Sequence, residues 1–161
     1  MTTPEQRLAE LGFVLPAPTQ LPPGVTLPFP MVRIVGSRAI ISGHGPTNPD
    51  GSFAQPLGKV GAEVTEEQAY IAARLTGLAM LGSLKRELGD LSLIACWTRV
   101  FGMVNSAPGF IRQPAVINGF SDLLLGVFGS AQGAHARSAV GVAELPFGIP
   151  VEIEGEVELK R

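Results

Sequence analysis

The stretch Val151–Leu159 places Val151, Ile153, Val157 and Leu159 at alternate positions to Glu152, Glu154, Glu156 and Glu158. Period two is the repeat of a β-strand whose two faces meet different surroundings. A chain with such a strand must build a sheet with one apolar, buried face. The longest helical signal predicts what covers it. Thr65 and Gln68 form a capping box before Thr65–Leu88, two glutamates occupy the first turn, and Gly89 terminates it. Ile71, Leu75, Leu78 and Leu81, with Ala72 and Ala79, repeat at the spacing of one buried helical face.

Around these two segments the order is β-β-α-β-α-β-β. Strands are expected at Val32–Val35 and Ala39–Ser42, with a turn at Gly36-Ser37-Arg38, then at Leu93–Val104, Arg137–Ala143 and Val151–Leu159. A second helix is expected over Gln113–Phe128, ending near Gly129. Before them, Thr3 and Pro4 open a short helix over residues 3–11 that Gly12 closes. Six prolines between Pro16 and Pro30 forbid helix and inner strand there, leaving an extended wrapping segment. The expectation is one α/β domain over residues 1–161. Residues 1–30 form the helix and wrapping segment, residues 31–161 the core, and both main helices lie on one sheet face.

Composition bears on what covers the other face. Only 16% of the 161 residues are charged, against about 25% in an average domain. The shortage of charge points to surface buried against a second copy of the chain. The net charge is −2 and the twelve Lys and Arg are scattered, so the basic footprint of a nucleic-acid binder is missing. A lone Cys96 gives no disulfide framework and fits a reducing, cytoplasmic setting. No secretory signal and no apolar run of the ~20 residues a bilayer span needs are read in the sequence.

Several residues could carry chemistry. Each glutamate of 151–159 reads first as part of a solvated face; one of them, if desolvated, becomes a general acid/base with a raised pKa. Arg137 opens an apolar strand of small neighbours and requires an anionic partner, either a protein carboxylate or a substrate carboxylate. In Ser42-Gly43-His44-Gly45 the two glycines let backbone approach a ligand closely, or simply end the strand. His44 and His135 are the only histidines and have no accompanying Cys/His ligand spacing, so no metal site is expected. Lys59, in a glycine-flanked loop, reads as solvated rather than imine-forming.

The C-terminal quarter, Arg137-Ser138-Ala139-Val140-Gly141-Val142-Ala143-Glu144-Leu145-Pro146 followed by Val151-Glu152-Ile153-Glu154, resembles the signature of the Rid family, the reactive-intermediate deaminases, also called YjgF-like or L-PSP endoribonuclease-like. Ala39–Pro46 resembles that family's strand ending in Ser-Gly-Gln, and Val116-Ile117-Asn118-Gly119 its helix-borne Val-Asn segment; the likeness covers about residues 28–159. The resemblance implies a chorismate-mutase-like fold, a homotrimer whose mixed sheets line a central barrel, and ligand sites between subunits. It implies hydrolysis of 2-imino acids or their enamine tautomers to 2-keto acids and ammonia, without metal or organic cofactor. Arg137 would hold the substrate carboxylate and Glu152 would activate water and protonate ammonia. Ser42, Gly43, Asn118 and Ala139 would orient the imine. Phe29 stands where the family often has Tyr, Ala139 where it has Cys and His44 where it has Gln. A trimer that binds small carboxylates without turnover, and a ribonuclease, are the alternative readings.

One geometric question stays open in the sequence. If strands 137–143 and 151–159 paired as a hairpin about Phe147, Glu152 would lie roughly 17 Å along from the residue facing Arg137. The two can share a site only if the strands do not pair so, or if they meet across subunits.

Overall fold

The computed structural model describes residues 2–161. Three helices, α1 (Pro4–Glu10), α2 (Glu66–Leu88) and α3 (Gln113–Gly133), accompany five strands: β1 (Val32–Val35), β2 (Arg38–His44), β3 (Ile94–Asn105), β4 (Ala136–Val142) and β5 (Val151–Leu159). The strands form one mixed sheet in the order β1-β2-β5-β3-β4, with β4 parallel to β3 and the other pairs antiparallel. The fold is the mixed, chorismate-mutase-like α+β arrangement expected.

The alternation of β5 works as read. Val151, Ile153 and Val157 are fully buried on the helix side of the sheet, while Glu152, Glu154 and Glu156 face away. Gly155 belongs to the inward set and leaves room for the Trp97 ring and Met80. Trp97 in turn packs edge-on against Phe120 and Phe128, at centroid distances of 5.6 and 6.3 Å. Thr65 and Gln68 form the expected reciprocal cap of α2, and Gly89 closes it in the left-handed conformation.

Two expectations about the helices need correction. Ile71 is 40% exposed rather than on the buried face of α2. The contact is made by Ala69, Ala73, Thr76 and Met80, and from Thr76 to Leu84 every residue is buried, because the sheet, α3 and the N-terminal segment cover α2 on three sides. Large apolar residues at helical spacing marked one stripe; small residues made the close contact. Likewise α3 does not end at Gly129. It kinks there (φ 71°, ψ 174°) and continues to Gly133. Taken whole, α3 is long and apolar enough to cross a membrane by length and composition alone, more than the sequence reading allowed. Its apolar residues Val116, Ile117, Phe120 and Leu124 are buried in the core.

The sheet face opposite the helices carries Ile40 and Val140, which are 44% and 37% exposed, around the acidic row of β5. Sheet and helices are held at short range by glycine. A Cβ on Gly119 of α3 would lie 2.0 Å from the Tyr70 carbonyl oxygen of α2, a backbone atom that cannot swing aside. Gly119→Ala must push the helices apart. Overpacking of this kind costs about 2–3 kcal/mol, and thermal unfolding is expected about 5–10 °C below the native protein.

Candidate functional site

The sequence segments that sequence reading could not connect meet at one end of β2. The wrapping segment is sewn to the sheet there. The Ser42 hydroxyl donates to the Pro30 carbonyl (2.9 Å) and the Ser42 N–H to that of Met31 (2.9 Å). Further back, the N–H groups of Ala17 and Gln20 donate to the Pro49 and Gly51 carbonyls, both at 2.9 Å. The Asn48–Gly51 turn that receives them is rigid, since the Asp50 carboxylate accepts from both the N–H and the hydroxyl of Ser52. Those two bonds hold the Asp50 carboxyl below its ordinary range.

Between the wrapping segment, the C-terminal turns of α2 and the start of β5 lies a cavity of about 520 Å³. Phe29, Gly43, His44 and Glu152 all line it, with Phe53, Phe147, Ser83 and Arg86. Glu152 is half-buried. Burial raises its carboxyl above the ordinary carboxylate range, and the neighbouring Glu154 carboxylate raises it further. The side chain can lie there only because residue 43 has none: a Cβ on Gly43 would sit 2.9 Å from the Glu152 carboxyl carbon. Of the alternatives for the 151–159 glutamates, the desolvated one holds for Glu152; the Gly43-His44-Gly45 run ends β2 in an irregular register, and the side chain that lies close to Gly43 is that of Glu152.

His44 is not a titrating group of this cavity. It is 2% exposed, and its Nδ1–H donates to the Ser42 carbonyl at 2.6 Å. Nε2 lies 2.8 Å from the Ser83 hydroxyl. The Ser83 oxygen accepts from Arg86 Nη2 at 3.1 Å, while Arg86 Nη1 donates to the Pro16 carbonyl at 3.0 Å. Burial pushes the His44 pKa down to about 4, so the imidazole is neutral near pH 7 and its Nε2 accepts from the Ser83 hydroxyl.

Arg137 lies elsewhere. Through β3, Arg137 of β4 is level with Val100 and Gly155, whereas Glu152 is level with Met103. The two residues are thus separated by two strand spacings and three residues, roughly 14 Å, and they project from opposite faces. The hairpin that would have set them apart along one ladder does not form, because β3 is inserted between β4 and β5. On the helix side Arg137 Nη1 donates to Asn118 Oδ1 (2.9 Å) and Ser121 Oγ (3.0 Å), and Nη2 to the Pro114 carbonyl (3.3 Å). Ser121 also meets His135 Nε2 at 2.9 Å, and His135 Nδ1 meets the Gly133 carbonyl at 2.7 Å. This repeats the Arg–Ser–His pattern of the first cluster. Among the described residues no carboxylate lies within ion-pair distance of Arg137. Its hydrogen-bond partners in the chain are neutral, and the Asp122 carboxylate acts on it only from beyond ion-pair distance. Ala139 follows on the same side of β4, opposite Gly102.

The chain therefore presents two separate clusters: Phe29, Gly43, His44 and Glu152 at the cavity, with Ser42 tethering its wall, and Arg137, Asn118 and Ala139 at the β4 edge. Lys59 belongs to neither. Its ammonium donates to the Ala143 carbonyl and to Asn105 Oδ1 (3.0 Å) and pairs with Glu144 (3.3 Å), pinning its loop to the ends of β3 and β4.

A family model described as "YjgF/chorismate mutase-like, putative endoribonuclease" matches residues 5–148. The chain belongs to this YjgF-like family. Protein TCP17 of Trypanosoma cruzi is 42% identical over 124 residues, 77% of this chain and 76% of that protein. A protein of unknown function from Agrobacterium tumefaciens is 39% identical with a TM-score of 0.87, over 98% of this chain and 92% of its own. A Shewanella oneidensis structure, described as an endoribonuclease of the same provisional kind, is 33% identical with a TM-score of 0.87, over 98% and 99%. The YjgF-like match begins at residue 5, and the Agrobacterium and Shewanella structures each cover 98% of the chain, so the N-terminal helix and wrapping segment are shared with these relatives.

Arg86, Ser83, Phe53 and Phe147 carried no signal in the sequence. Ser83 and His44 are 39 residues apart, and nothing in either local pattern pairs them. The His44 assignment has a measurable consequence. Its pKa is depressed in the fold from 6.5 to about 4, so its neutral form stabilises the fold above pH 6.5. That contribution, on the order of 3 kcal/mol, is lost as pH falls from 6.5 towards 4. His44→Gln retains one donor and one acceptor without a titrating proton. Denaturant unfolding at pH 7 and pH 4.5 is expected to show a smaller loss of stability for the variant by about 2 kcal/mol.

Proposed function

We propose that the protein hydrolyses 2-imino acids, or their enamine tautomers, to 2-keto acids and ammonia at sites that each take one half from either of two subunits. The observation that carries this reading is the Glu152 carboxyl, raised by burial and laid against the Gly43 backbone in a cavity large enough for a small acid. Water attacks the iminium carbon and the C=N bond becomes single as the C–O bond forms. Glu152 takes the proton lost by the attacking water and returns it to nitrogen. The C–N bond then breaks, ammonia leaves, and the hydroxyl proton is released as the keto group forms. A carboxyl tuned upward towards neutral pH suits a group that must both accept and donate. Imines hydrolyse readily, so holding the acid and one water in line supplies most of what an enzyme must add.

The substrate carboxylate is left to Arg137, whose neutral partners fix it without neutralising it. Because Arg137 and Glu152 project from opposite faces of one sheet, the arginine serving a given Glu152 comes from a neighbouring copy. The YjgF-like family is generally oligomeric, and the half-exposed Ile40 and Val140 on the open sheet face offer the apolar surface for a homotrimeric barrel.

Complementation between subunits tests both claims together. Glu152→Gln and Arg137→Ala are each expected to lower hydrolysis of 2-iminobutanoate, generated in situ by a PLP-dependent dehydratase, by at least about 100-fold. Mixed after unfolding and refolding, the two variants should recover up to about a quarter of native activity, because in random trimers that fraction of sites pairs an intact Glu152 with an intact Arg137. No recovery places both residues in one chain's site; native-like activity of either single variant removes that residue from the chemistry. Native protein that leaves the rate unchanged while binding 2-ketobutanoate would identify a carboxylate-binding protein instead.

Gly43→Ala probes the same carboxyl from its other side. The added methyl meets the flexible end of Glu152 rather than backbone, so the fold should hold within about 1 kcal/mol while activity falls by about 10-fold or more as Glu152 is displaced.

A further inference from the structure

The cavity beside Glu152 is far larger than an imino acid with an ethyl side chain requires. Its volume of about 520 Å³ lies within the range of sites that enclose whole drug-sized ligands. Leu21, Leu27 and Met31 of the wrapping segment supply one wall, and Phe29, Phe53 and Phe147 bring three phenyl rings to it. The one polar ring in the lining, His44, has both nitrogens engaged by Ser42 and Ser83 and offers a ligand nothing to bond. Phe53 and Phe147 stack at a centroid distance of 5.1 Å with 28° between their planes.

Phe147 is the more telling of the pair. It is held at φ 60°, and among the described residues it alone, glycines apart, has a positive φ. For a bulky side chain that conformation is strained, and such strain persists only where the surroundings impose it; outliers of this kind cluster at ligand sites. Here Pro146 and Pro150 bracket the turn, and the strained residue is 46% exposed. Burial of Phe147 in the core therefore does not account for it. The turn instead holds a phenyl ring at the cavity, stacked on a second ring.

From this geometry we propose that the cavity selects 2-imino and 2-keto acids with an aromatic side chain, with Phe53 and Phe147 as the residues that set this specificity. The substrate class rests on the hydrolytic reading above; the aromatic preference rests on the cavity. A 2-imino acid with its reacting carbon at Glu152 has its side chain directed into the same cavity, where a ring can offset-stack on the Phe53–Phe147 pair.

Binding and turnover separate the two claims. Calorimetric titration of the native protein is expected to show phenylpyruvate bound at least about tenfold more tightly than pyruvate. Phe147→Gly removes the ring at a backbone position glycine adopts freely. The variant should unfold no earlier than the native protein, yet bring the two affinities within about threefold of each other. Equal affinities in the native protein, or an unchanged ratio in the variant, overturn the proposal. For turnover, an L-amino acid oxidase supplies the imines of phenylalanine and alanine, and keto-acid release is followed with and without the protein. Acceleration greater for the phenyl imine by about tenfold is the expected result. Acceleration only of the alanine imine, or equally of both, overturns the aromatic selectivity and leaves hydrolysis standing. Acceleration of neither, with phenylpyruvate still bound more tightly, removes hydrolysis and leaves the selectivity standing.

Discussion

The two-sided pairing of β5 is the constraint on which the remaining geometry depends. This strand is hydrogen-bonded to β2 on one edge and to β3 on the other, and its inward residues are part of the floor on which α2 rests, while α3 rests on β3 and β4. Because apolar and acidic side chains alternate along it, seating Val151, Ile153 and Val157 in the core fixes Glu152 on the opposite face. Register then does the rest. A slip by one residue would bury the glutamates and expose the valines, a change no neighbouring group could offset. The same pairing forces β4 to the far side of β3 and so carries Arg137 away from Glu152. The separation of the two clusters is a consequence of sheet order, and no side-chain rotation within one chain can close it.

The arginines of the two clusters are held in the same way. Arg86 donates to Ser83, which meets His44; Arg137 donates to Ser121, which meets His135. In each, the imidazole's other nitrogen lies on a backbone carbonyl two residues earlier in the chain. A serine is a useful middle member because its oxygen accepts from the guanidinium while its proton goes to the imidazole. The arginine is oriented by a neutral acceptor and keeps its charge for another partner. A carboxylate in the serine's place would orient the guanidinium as well but would also neutralise it.

Much of the fold was legible in the sequence because its signals are local. The Thr65 capping box, the alternation of β5 and the proline density of residues 16–30 each depend on neighbours a few positions away, and each appears where expected. The failures are equally physical. The size and spacing of Ile71 suit a buried stripe of α2, but close packing between α2 and α3 is made by small residues such as Gly77 and Gly119, which carry weak hydrophobic signals. The cavity was invisible for another reason. Its walls come from segments around residues 18–32, 43–53, 83–87 and 146–152, and nothing short of the tertiary fold brings them together. The family resemblance supplied Glu152, Gly43 and Arg137 as site residues. It gave no hint that His44, at the position where the resemblance implies Gln, is held as a buried hydrogen-bonding residue.

The division of the site between subunits proposed above would suit easy chemistry. Imine hydrolysis asks for a held carboxylate, a placed water and one group that shuttles a proton, and none of these needs the sub-ångström support that covalent catalysis demands. Splitting the anchor from the proton shuttle costs little when the two need only be brought within reach, and it ties activity to assembly. It also frees each half to change separately. On the proposed function, the arginine edge would read what every 2-imino acid shares, its carboxylate, and the Glu152 cavity, with a wall contributed by the wrapping segment, would read what differs, the side chain. Variation in that segment and in the Pro146–Pro150 turn can therefore redirect substrate choice without disturbing the groups that carry the reaction.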